Sequence, residues 1–155
     1  MIILGIDPGI ADTGFGVIRK EANGKLVCLE YGSIRTKAGV EMSTRLMELS
    51  QGLDEIMRKY EPAVMAIEEL FFCNNVKTAL IVGQARGVAL LTARQNNIKI
   101  KEFTPLQVKQ AVSSYGKADK GQVQRMVQML LNLKEIPRPD DAADALAVAM
   151  CGSNI

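Results

Sequence analysis

The chain has 155 residues, of which 48% are hydrophobic and only 5% aromatic. This length fits a single compact domain, spanning residues 1–155, with a core of aliphatic side chains and alanine. The formal net charge of +2 does not decide whether the partner is a nucleic acid, because such binding depends on a local basic patch. Histidine is absent, which excludes Ser-His-Asp and Cys-His nucleophile systems and histidine-based zinc sites. Acid–base or metal chemistry must therefore rest on carboxylates and lysines.

Cysteine usage and the N-terminal residues indicate the compartment. Cys28, Cys73 and Cys151 are odd in number and far apart, which argues against a disulfide framework or a zinc knuckle. The first residues lack a basic leader and reach Asp7 too early for a signal peptide or a membrane span. We therefore expect reduced thiols in a cytoplasmic protein that does not contact a membrane.

The first part of the chain predicts three strands. Residues 2–7 form a short apolar run that ends at Pro8-Gly9, as expected of a buried strand followed by a turn. Residues 14–20 and 25–35 flank Asn23-Gly24, a dipeptide that favours a tight hairpin. The first three strands are therefore predicted to be antiparallel.

A helix, a strand and a second helix are predicted next. Apolar residues recur at steps of three and four over residues 43–60, and Pro62 ends this helix. Residues 63–68 are a continuous apolar run that ends in acid, and residues 76–95 read as a helix. The small residues of that helix, Gly83, Ala85, Gly87 and Ala89, predict close backbone packing.

The last part of the chain predicts an outer strand and three helices. Residues 98–103 alternate apolar and basic side chains, and Thr104-Pro105 supplies an N-cap and a first-turn proline for the next helix. Asp119 and Gln122 have the spacing of a capping box. After two prolines, the alanine-rich residues 140–151 predict a final helix with aspartate at its start. This order predicts an α/β protein of ribonuclease H-like fold, with a mixed five-stranded sheet and helices on both faces.

Four acids are candidate metal ligands. Asp7 and Glu68 each end a predicted strand, and a sheet with these strands side by side brings both carboxylates to one edge. Asp141 and Asp144 lie three apart on a predicted helix and share a face. Converging like charges are unfavourable unless they are protonated or neutralised, and the natural neutraliser here is a hard, oxygen-preferring cation, Mg²⁺ or Mn²⁺. Two such ions about 4 Å apart can cleave a phosphodiester.

Each acid also has a plain structural interpretation. Asp7 can belong to an ordinary Asp-Pro-Gly turn, and Glu68 with Glu69 can be a pair of solvated loop acids. Asp140 and Asp141 can cap the final helix, but capping does not explain Asp144, which lies a turn further in among alanines. Only the joint occurrence of these acids favours a site.

Six sequence blocks, in order along nearly the whole chain, resemble the RuvC family of Holliday-junction resolvases. They are ILGIDPG at 3–9, Thr13-Gly14, Ala66-Ile67-Glu68, GQARG at 83–87, QVKQ at 107–110 and DAADALA at 141–147. The resemblance implies a magnesium-dependent endodeoxyribonuclease with two ions per subunit. It also implies a homodimer that resolves four-way junctions by paired symmetric nicks in DNA recombination and repair, with a branch-migration motor as partner. The family's metal-binding and catalytic acids fall on Asp7, Glu68, Asp141 and Asp144, with Glu69 and Asp140 as additional neighbouring acids.

Aromatic and basic residues near these acids suggest how DNA is held. Phe71 and Phe72 follow Glu68 closely, and aromatics beside a nuclease centre can stack on unpaired bases. The resemblance places the family's stacking aromatic at Phe71, whereas Phe72 can equally pack onto the next helix. The second half of the chain also carries a basic bias, from Lys99, Lys101, Lys109, Lys117, Lys120 and Arg125. The resemblance implies DNA contact by Lys109 and Lys120 and a catalytic role for Lys120, whereas Arg86 is expected to form an ion pair on the helix surface.

Three other functions are compatible with parts of the pattern. An actin-like or sugar-kinase-type ATPase also begins with a strand, an acid and a glycine turn, and Gly9, Gly14 and Gly16 could then cradle phosphates. However, the chain is about half the size expected for two lobes, and it has no Walker A motif. A non-catalytic junction-binding protein would not need four acids. A nuclease for another substrate, such as an RNA:DNA hybrid, would use the same two-metal chemistry.

Overall fold

The computed structural model describes residues 1–70, 75–113 and 116–154. Within these ranges the strands are β1 (Ile2–Asp7), β2 (Asp12–Lys20), β3 (Leu26–Arg35), β4 (Val64–Glu68) and β5 (Lys99–Phe103). The helices are α1 (Met42–Tyr60), α2 (Val76–Gln95), α3 (Pro105–Val112), α4 (Lys120–Leu130) and α5 (Asp140–Gly152).

The strands form one mixed sheet in the order β3-β2-β1-β4-β5. The β1–β2 and β2–β3 pairs are antiparallel, whereas β1–β4 and β4–β5 are parallel. Asp7 lies opposite Gly14 on β2, and the pairing of Ile6 with Ile67 brings Asp7 beside Glu68. The predicted mixed five-stranded sheet is therefore confirmed, and so is the meeting of the two strand-end acids at one edge.

The two faces of the sheet carry separate hydrophobic clusters. One cluster joins Ile3, Ile18 and Ala66 to the buried faces of α3, α4 and α5. The other joins Leu4, Ile6 and Val17 to α1 and α2. Successive strand residues point to opposite faces, so the alternation along β1 sends its even-numbered residues to α1 and α2. Its odd-numbered residues, including Asp7, face α5.

Helix α5 approaches the centre of the sheet very closely because glycines line the strands beneath it. A Cβ atom added to Gly5 would lie 2.0 Å from the Ala145 carbonyl oxygen, and one added to Gly14 would lie 2.0 Å from that of Asp141. On Gly16 an added Cβ would meet the Leu146 side chain at 2.7 Å. Helix α5 thus fills the space above Gly14 and Gly16. The ATPase alternative requires these glycines to cradle a phosphate, and they are not free to do so.

Local capping sets the start of the short helices. Thr104 forms a capping box with Gln107 at the start of α3, and Asp119 forms the predicted one with Gln122 at the start of α4. At α5 the N-cap residue is Pro139, which makes no side-chain cap hydrogen bond, and Asp140 and Asp141 lie in the first turn. Capping therefore does not account for these two aspartates.

Helix α2 packs through its alanines. Ala85, Ala89 and Ala93 are fully buried at four-residue spacing. The prediction of close backbone packing is not met at Gly87 within one chain, because a Cβ added there would meet no atom within 4 Å. Within the described ranges α2 alone is long and apolar enough to cross a membrane, with a mean hydropathy of 1.2, a test that core helices of soluble proteins also pass.

Candidate active site

A cleft of about 280 Å³ opens where β1 and β4 end beneath helix α5. Three of the predicted acids line it: Asp7, Glu68 and Asp144. Two of the predicted lysines, Lys109 on α3 and Lys120 on α4, also line it. Apolar side chains, among them those of Val108, Val123 and Val148, also contribute to the lining. Residues far apart in sequence thus form one concave site that contains both anionic and cationic groups.

Asp7 is the most strongly perturbed acid of the cleft. Burial is the main cause, and the charges of Asp144, Asp141 and Glu68 add to it, so that the pKa of Asp7 rises to about 8. A hydrogen bond between the Asp7 and Asp141 carboxyl groups acts in the same direction. A carboxyl group with such a pKa is largely protonated at neutral pH unless a cation neutralises its surroundings.

Glu68 and Asp144 are perturbed in the same direction. Burial raises the pKa of Glu68, the charge of Asp144 raises it further, and Lys109 partly opposes the shift. Burial likewise raises the pKa of Asp144, although the hydrogen bond and charge of Lys120 act against it. The three acids are therefore held together at an electrostatic cost, as in sites that bind divalent cations.

Asp141 lies beside this group but outside the main cleft. It is in reach of the Asp7 side chain and lines a neighbouring depression of about 360 Å³ with the β1–β2 turn and the start of α2. In the described ranges, no three acidic or thiol side chains are arranged to hold one metal ion as they stand. Carboxylates that now bond to Asp141 or Lys120 must turn for a cation to enter.

Lys120 forms an ion pair within the cleft. Its Nζ lies 3.2 Å from Asp144 Oδ2 and 3.8 Å from Asp140 Oδ2. Partial burial lowers the Lys120 pKa, but the hydrogen bond to Asp144 and the charges of Asp144, Asp140 and Asp7 outweigh it, and the pKa rises above its ordinary value. The ammonium group therefore stays charged next to the acids.

The remaining predicted residues differ in their placement. Glu69 is exposed and does not line the cleft, and Asp140 pairs with Arg138 at 2.8 Å. Phe71 and Phe72 lie outside the described residues. Of the other basic residues, the cleft lining does not include Lys99, Lys101, Lys117 or Arg125.

Sequence reasoning missed Asp119 as a residue of this cleft. It lines the cleft while its side chain accepts a hydrogen bond from the Gln122 backbone N–H at 2.8 Å. Its position next to Lys120 could have indicated this second role. The capping box that starts α4 thus also fixes where the Lys120 side chain begins.

The donor chemistry of the site fits divalent cations. Carboxylate oxygens are the ligands that Mg²⁺ and Mn²⁺ prefer, and neither histidine nor clustered thiols compete in the described part of the site. Burial, together with the charges of the neighbouring acids, raises the pKa of Asp7, so a cation bound here would relieve an electrostatic cost. The residues present therefore fit a hard divalent ion better than any softer one.

Comparisons with known proteins agree with this geometry. The family model for crossover junction endodeoxyribonuclease RuvC matches residues 3–152. The enzyme of that name from Caldicellulosiruptor saccharolyticus is 55% identical over 97% of this chain and 91% of its own length. Its counterpart from Rubrobacter xylanophilus is 56% identical over 97% of this chain and 83% of its own length.

Solved structures give the same result. Thermus thermophilus RuvC superposes with a TM-score of 0.90 at 36% identity, covering 97% of this chain and 92% of that one. T. thermophilus RuvC in complex with Holliday junction substrate gives a TM-score of 0.88 at 34% identity, with the same coverage. This agreement confirms the ribonuclease H-like fold and decides against the ATPase alternative. The chain belongs to the RuvC family of crossover junction endodeoxyribonucleases.

Proposed function

We propose that this protein resolves four-way DNA junctions by paired symmetric nicks, through phosphodiester hydrolysis that depends on two Mg²⁺ ions per subunit. The observation that carries the proposal is the buried acid cluster at the ends of β1 and β4, in a cleft that two lysines also line. Membership of the RuvC family supports the substrate class. Mn²⁺, which accepts the same oxygen ligands, is expected to substitute.

The proposed metal ligands are Asp7, Glu68, Asp141 and Asp144. The chemistry that two bound divalent ions supply is activation of a water molecule and stabilisation of the leaving oxygen. Asp7 lies between the Glu68 side of the cleft and Asp141, so it is the acid best placed to be shared. Asp144 gives up its pairing with Lys120 when the site is loaded.

The lysines are proposed to act on the DNA phosphate. Lys120, released from Asp144, can place its ammonium group against the negative charge that grows on the phosphate during cleavage. Lys109 lines the same cleft and can hold the adjacent DNA backbone. Phe71 and Phe72 are proposed to stack on bases at the crossover, where stacking is already disturbed.

A homodimer is proposed, with helix α2 at its interface. Val76, Leu80 and Leu91 are 64%, 64% and 59% exposed, respectively. Gly87 lies between the two leucines and is exposed, with no neighbour that requires a glycine. An exposed apolar stripe with a small residue at its centre is suited to close approach of a second copy. Two subunits would supply the two active sites that paired nicks require.

Junction cleavage tests the proposed reaction. With Mg²⁺ the purified protein is expected to nick a synthetic four-way junction in symmetric pairs, measured on denaturing gels with each strand labelled in turn. Asp7→Asn keeps the side-chain shape but removes a ligand charge, so it is expected to bind the junction and cut it about 10²–10³-fold more slowly or not at all. Asp54→Asn, on α1 and outside the cleft lining, is the matched control and should cut normally.

Several outcomes would contradict the proposal. Undiminished cutting by Asp7→Asn would remove Asp7 from the catalytic site. Binding of junctions with no cutting by the unchanged protein would favour the non-catalytic junction-binding alternative. Cutting of RNA:DNA hybrids in preference to junctions would identify a nuclease for another substrate.

Sedimentation tests the homodimer. Leu80→Glu and Leu91→Glu place charge on the apolar stripe of α2 and are expected to shift the protein from dimer to monomer in analytical ultracentrifugation. Met129→Glu is the control, because Met129 is 71% exposed on α4, away from the stripe. Equal dissociation by all three substitutions, or by none, would contradict an α2 interface.

A branch-migration motor as partner and a cytoplasmic location are proposed from the family resemblance.

A further inference from the structure

Arg86 connects helix α2 to the end of strand β4. Its Nε donates to the main-chain carbonyl oxygen of Glu68 at 3.4 Å. Its Nη2 forms an ion pair with the carboxylate of Glu102 on β5. The Arg86 side chain is only 15% exposed, whereas that of Glu102 is 48% exposed. One guanidinium thus links three elements directly behind a cleft acid.

The carbonyl of Glu68 is a natural place for such a contact. Glu68 is the last residue of β4 and is paired with Phe103, and the N–H of Glu69 donates to the Phe103 carbonyl at 2.8 Å. The β5 contact therefore holds the N–H side of the following peptide, and Arg86 holds its carbonyl side. Fixing both sides of this peptide plane fixes the backbone of Glu68, and with it the direction in which the side chain leaves.

Arginine is chemically suited to this role. Its planar group carries donors that point in several fixed directions, so it can serve the Glu68 carbonyl and the Glu102 carboxylate together. A lysine ammonium is a single point on a flexible stem and would not fix both directions in the same way. Low exposure strengthens both contacts, because solvent screens them less.

We propose that Arg86 is a positioning residue for the active site: held by Glu102, it fixes the Glu68 peptide and thereby aims the Glu68 carboxylate at Asp7 and Asp144. Since α2 is also the proposed dimer helix, the same contact ties the position of that helix to the cleft. The inference rests on the proposed metal-binding role of Glu68.

The test measures Mg²⁺ binding without DNA. The protein's melting temperature is followed as MgCl₂ is titrated, and junction cleavage over the same range gives a second half-saturation value. Arg86→Gln is expected to raise both Mg²⁺ half-saturation values about 10-fold and to leave junction affinity unchanged. Loss of a residue that orients a metal ligand typically weakens metal binding by about this factor. Removal of a nearby positive charge would by itself strengthen Mg²⁺ binding, so weaker binding cannot come from charge alone.

Two further variants separate positioning from stability. In Glu102→Gln the amide oxygen can still accept a hydrogen bond from Arg86, so Arg86 stays held against the Glu68 carbonyl and the Mg²⁺ half-saturation should be nearly unchanged. The double variant Arg86→Met and Glu102→Met removes both charges, keeps the apolar volume and leaves no unpaired carboxylate, so it is expected to stay folded. Because it lacks the donor, it should show the same weakened Mg²⁺ binding as Arg86→Gln.

The outcomes are distinct. Ordinary Mg²⁺ half-saturation in the double variant, or in Arg86→Gln, would overturn the positioning role and leave Arg86 as a structural ion pair. A protein that binds Mg²⁺ but does not cut junctions would contradict the proposed function, while the effect of Arg86 on metal binding would still stand. If Mg²⁺ did not change the melting temperature of the unaltered protein, both the metal assignment and the Arg86 inference would fail.

Discussion

The two faces of the sheet are packed on different principles. Towards α1 and α2 the central strands present large side chains such as Leu4, Ile6 and Val17, which separate helix from sheet by ordinary aliphatic layers. Towards α5 the same strands present Gly5, Gly14 and Gly16, and the helix backbone lies almost against them. The first face provides a conventional core, and the second allows the backbone of α5 to pack closely against the strands.

This difference explains why the acids meet only on one face. The main chain of Asp141 lies directly over Gly14, which is the cross-strand neighbour of Asp7. Any side chain at Gly14 would lift the start of α5 and separate its aspartates from Asp7. The α5 face therefore combines tight packing with clustered negative charge, whereas the α1–α2 face supplies a conventional core and contacts the end of β4 through Arg86 of α2.

A side chain at Gly14 should break this arrangement with the largest effect. In Gly14→Ala the new Cβ would lie 2.0 Å from the Asp141 carbonyl oxygen, a backbone atom that can move only with its helix. We expect a loss of about 3 kcal/mol or more in the free energy of unfolding, at the upper end of overpacking effects. The Mg²⁺-induced rise in melting temperature should also disappear. Urea unfolding measures the first effect, and thermal unfolding with and without Mg²⁺ measures the second.

A cavity on the opposite face is the control for this prediction. Leu53 on α1 is fully buried against the large aliphatic side chains, and Leu53→Ala should cost about 2–5 kcal/mol through lost burial and the cavity left behind. Its folded fraction should keep the Mg²⁺ response. If Gly14→Ala retained that response, or Leu53→Ala lost it, close packing on the α5 face would not be what sets the position of the acids.

Sequence patterns predicted most of the fold because the relevant information is local. The capping box of Asp119 and Gln122, the Asn23-Gly24 turn and the helical spacing over residues 43–60 all act within a few residues, and each appears as expected. The convergence of Asp7 and Glu68 was also predictable, since parallel strands end at a common edge.

The features that could not be predicted from the sequence depend on contacts between distant segments. The reason for glycine at Gly14 lies in α5, which follows much later in the chain. The pairing of Lys120 with Asp144 and the contact of Arg86 with the Glu68 carbonyl join different elements, and no local pattern encodes either. The expected ion pair of Arg86 is confirmed, but it joins α2 to β5 rather than lying along one helix.

The clustered negative charge on the α5 face predicts a smaller effect on stability, which depends on pH. In the metal-free protein the pKa of Asp7 is raised from 3.8 to about 8. Between these values the folded state keeps a proton that the unfolded state has released. The stabilising contribution is therefore complete below about pH 3.8 and is lost as pH rises to about 8. Asp7→Asn removes this loss, so in EDTA it should be more stable than the unaltered protein at pH 8.5, by about 1–3 kcal/mol, and equally stable near pH 4.

An acid on the other face supplies the matched control with the opposite sign. The hydrogen bond from Asn96 and the contact with Arg58 lower the pKa of Asp54, so its contribution is present above the ordinary pKa of aspartate and is lost only as pH falls below it. Asp54→Asn should therefore leave the decline in stability between pH 5 and 8.5 unchanged.

Addition of Mg²⁺ should abolish the decline in the unaltered protein, since bound cations neutralise the cluster, and should do little for Asp7→Asn. Thermal unfolding across this pH range with both variants measures these differences. If the unaltered protein and Asp7→Asn had parallel pH profiles, the clustered charge on the α5 face would not be a cost of folding, and the contrast between the two faces would be one of packing alone.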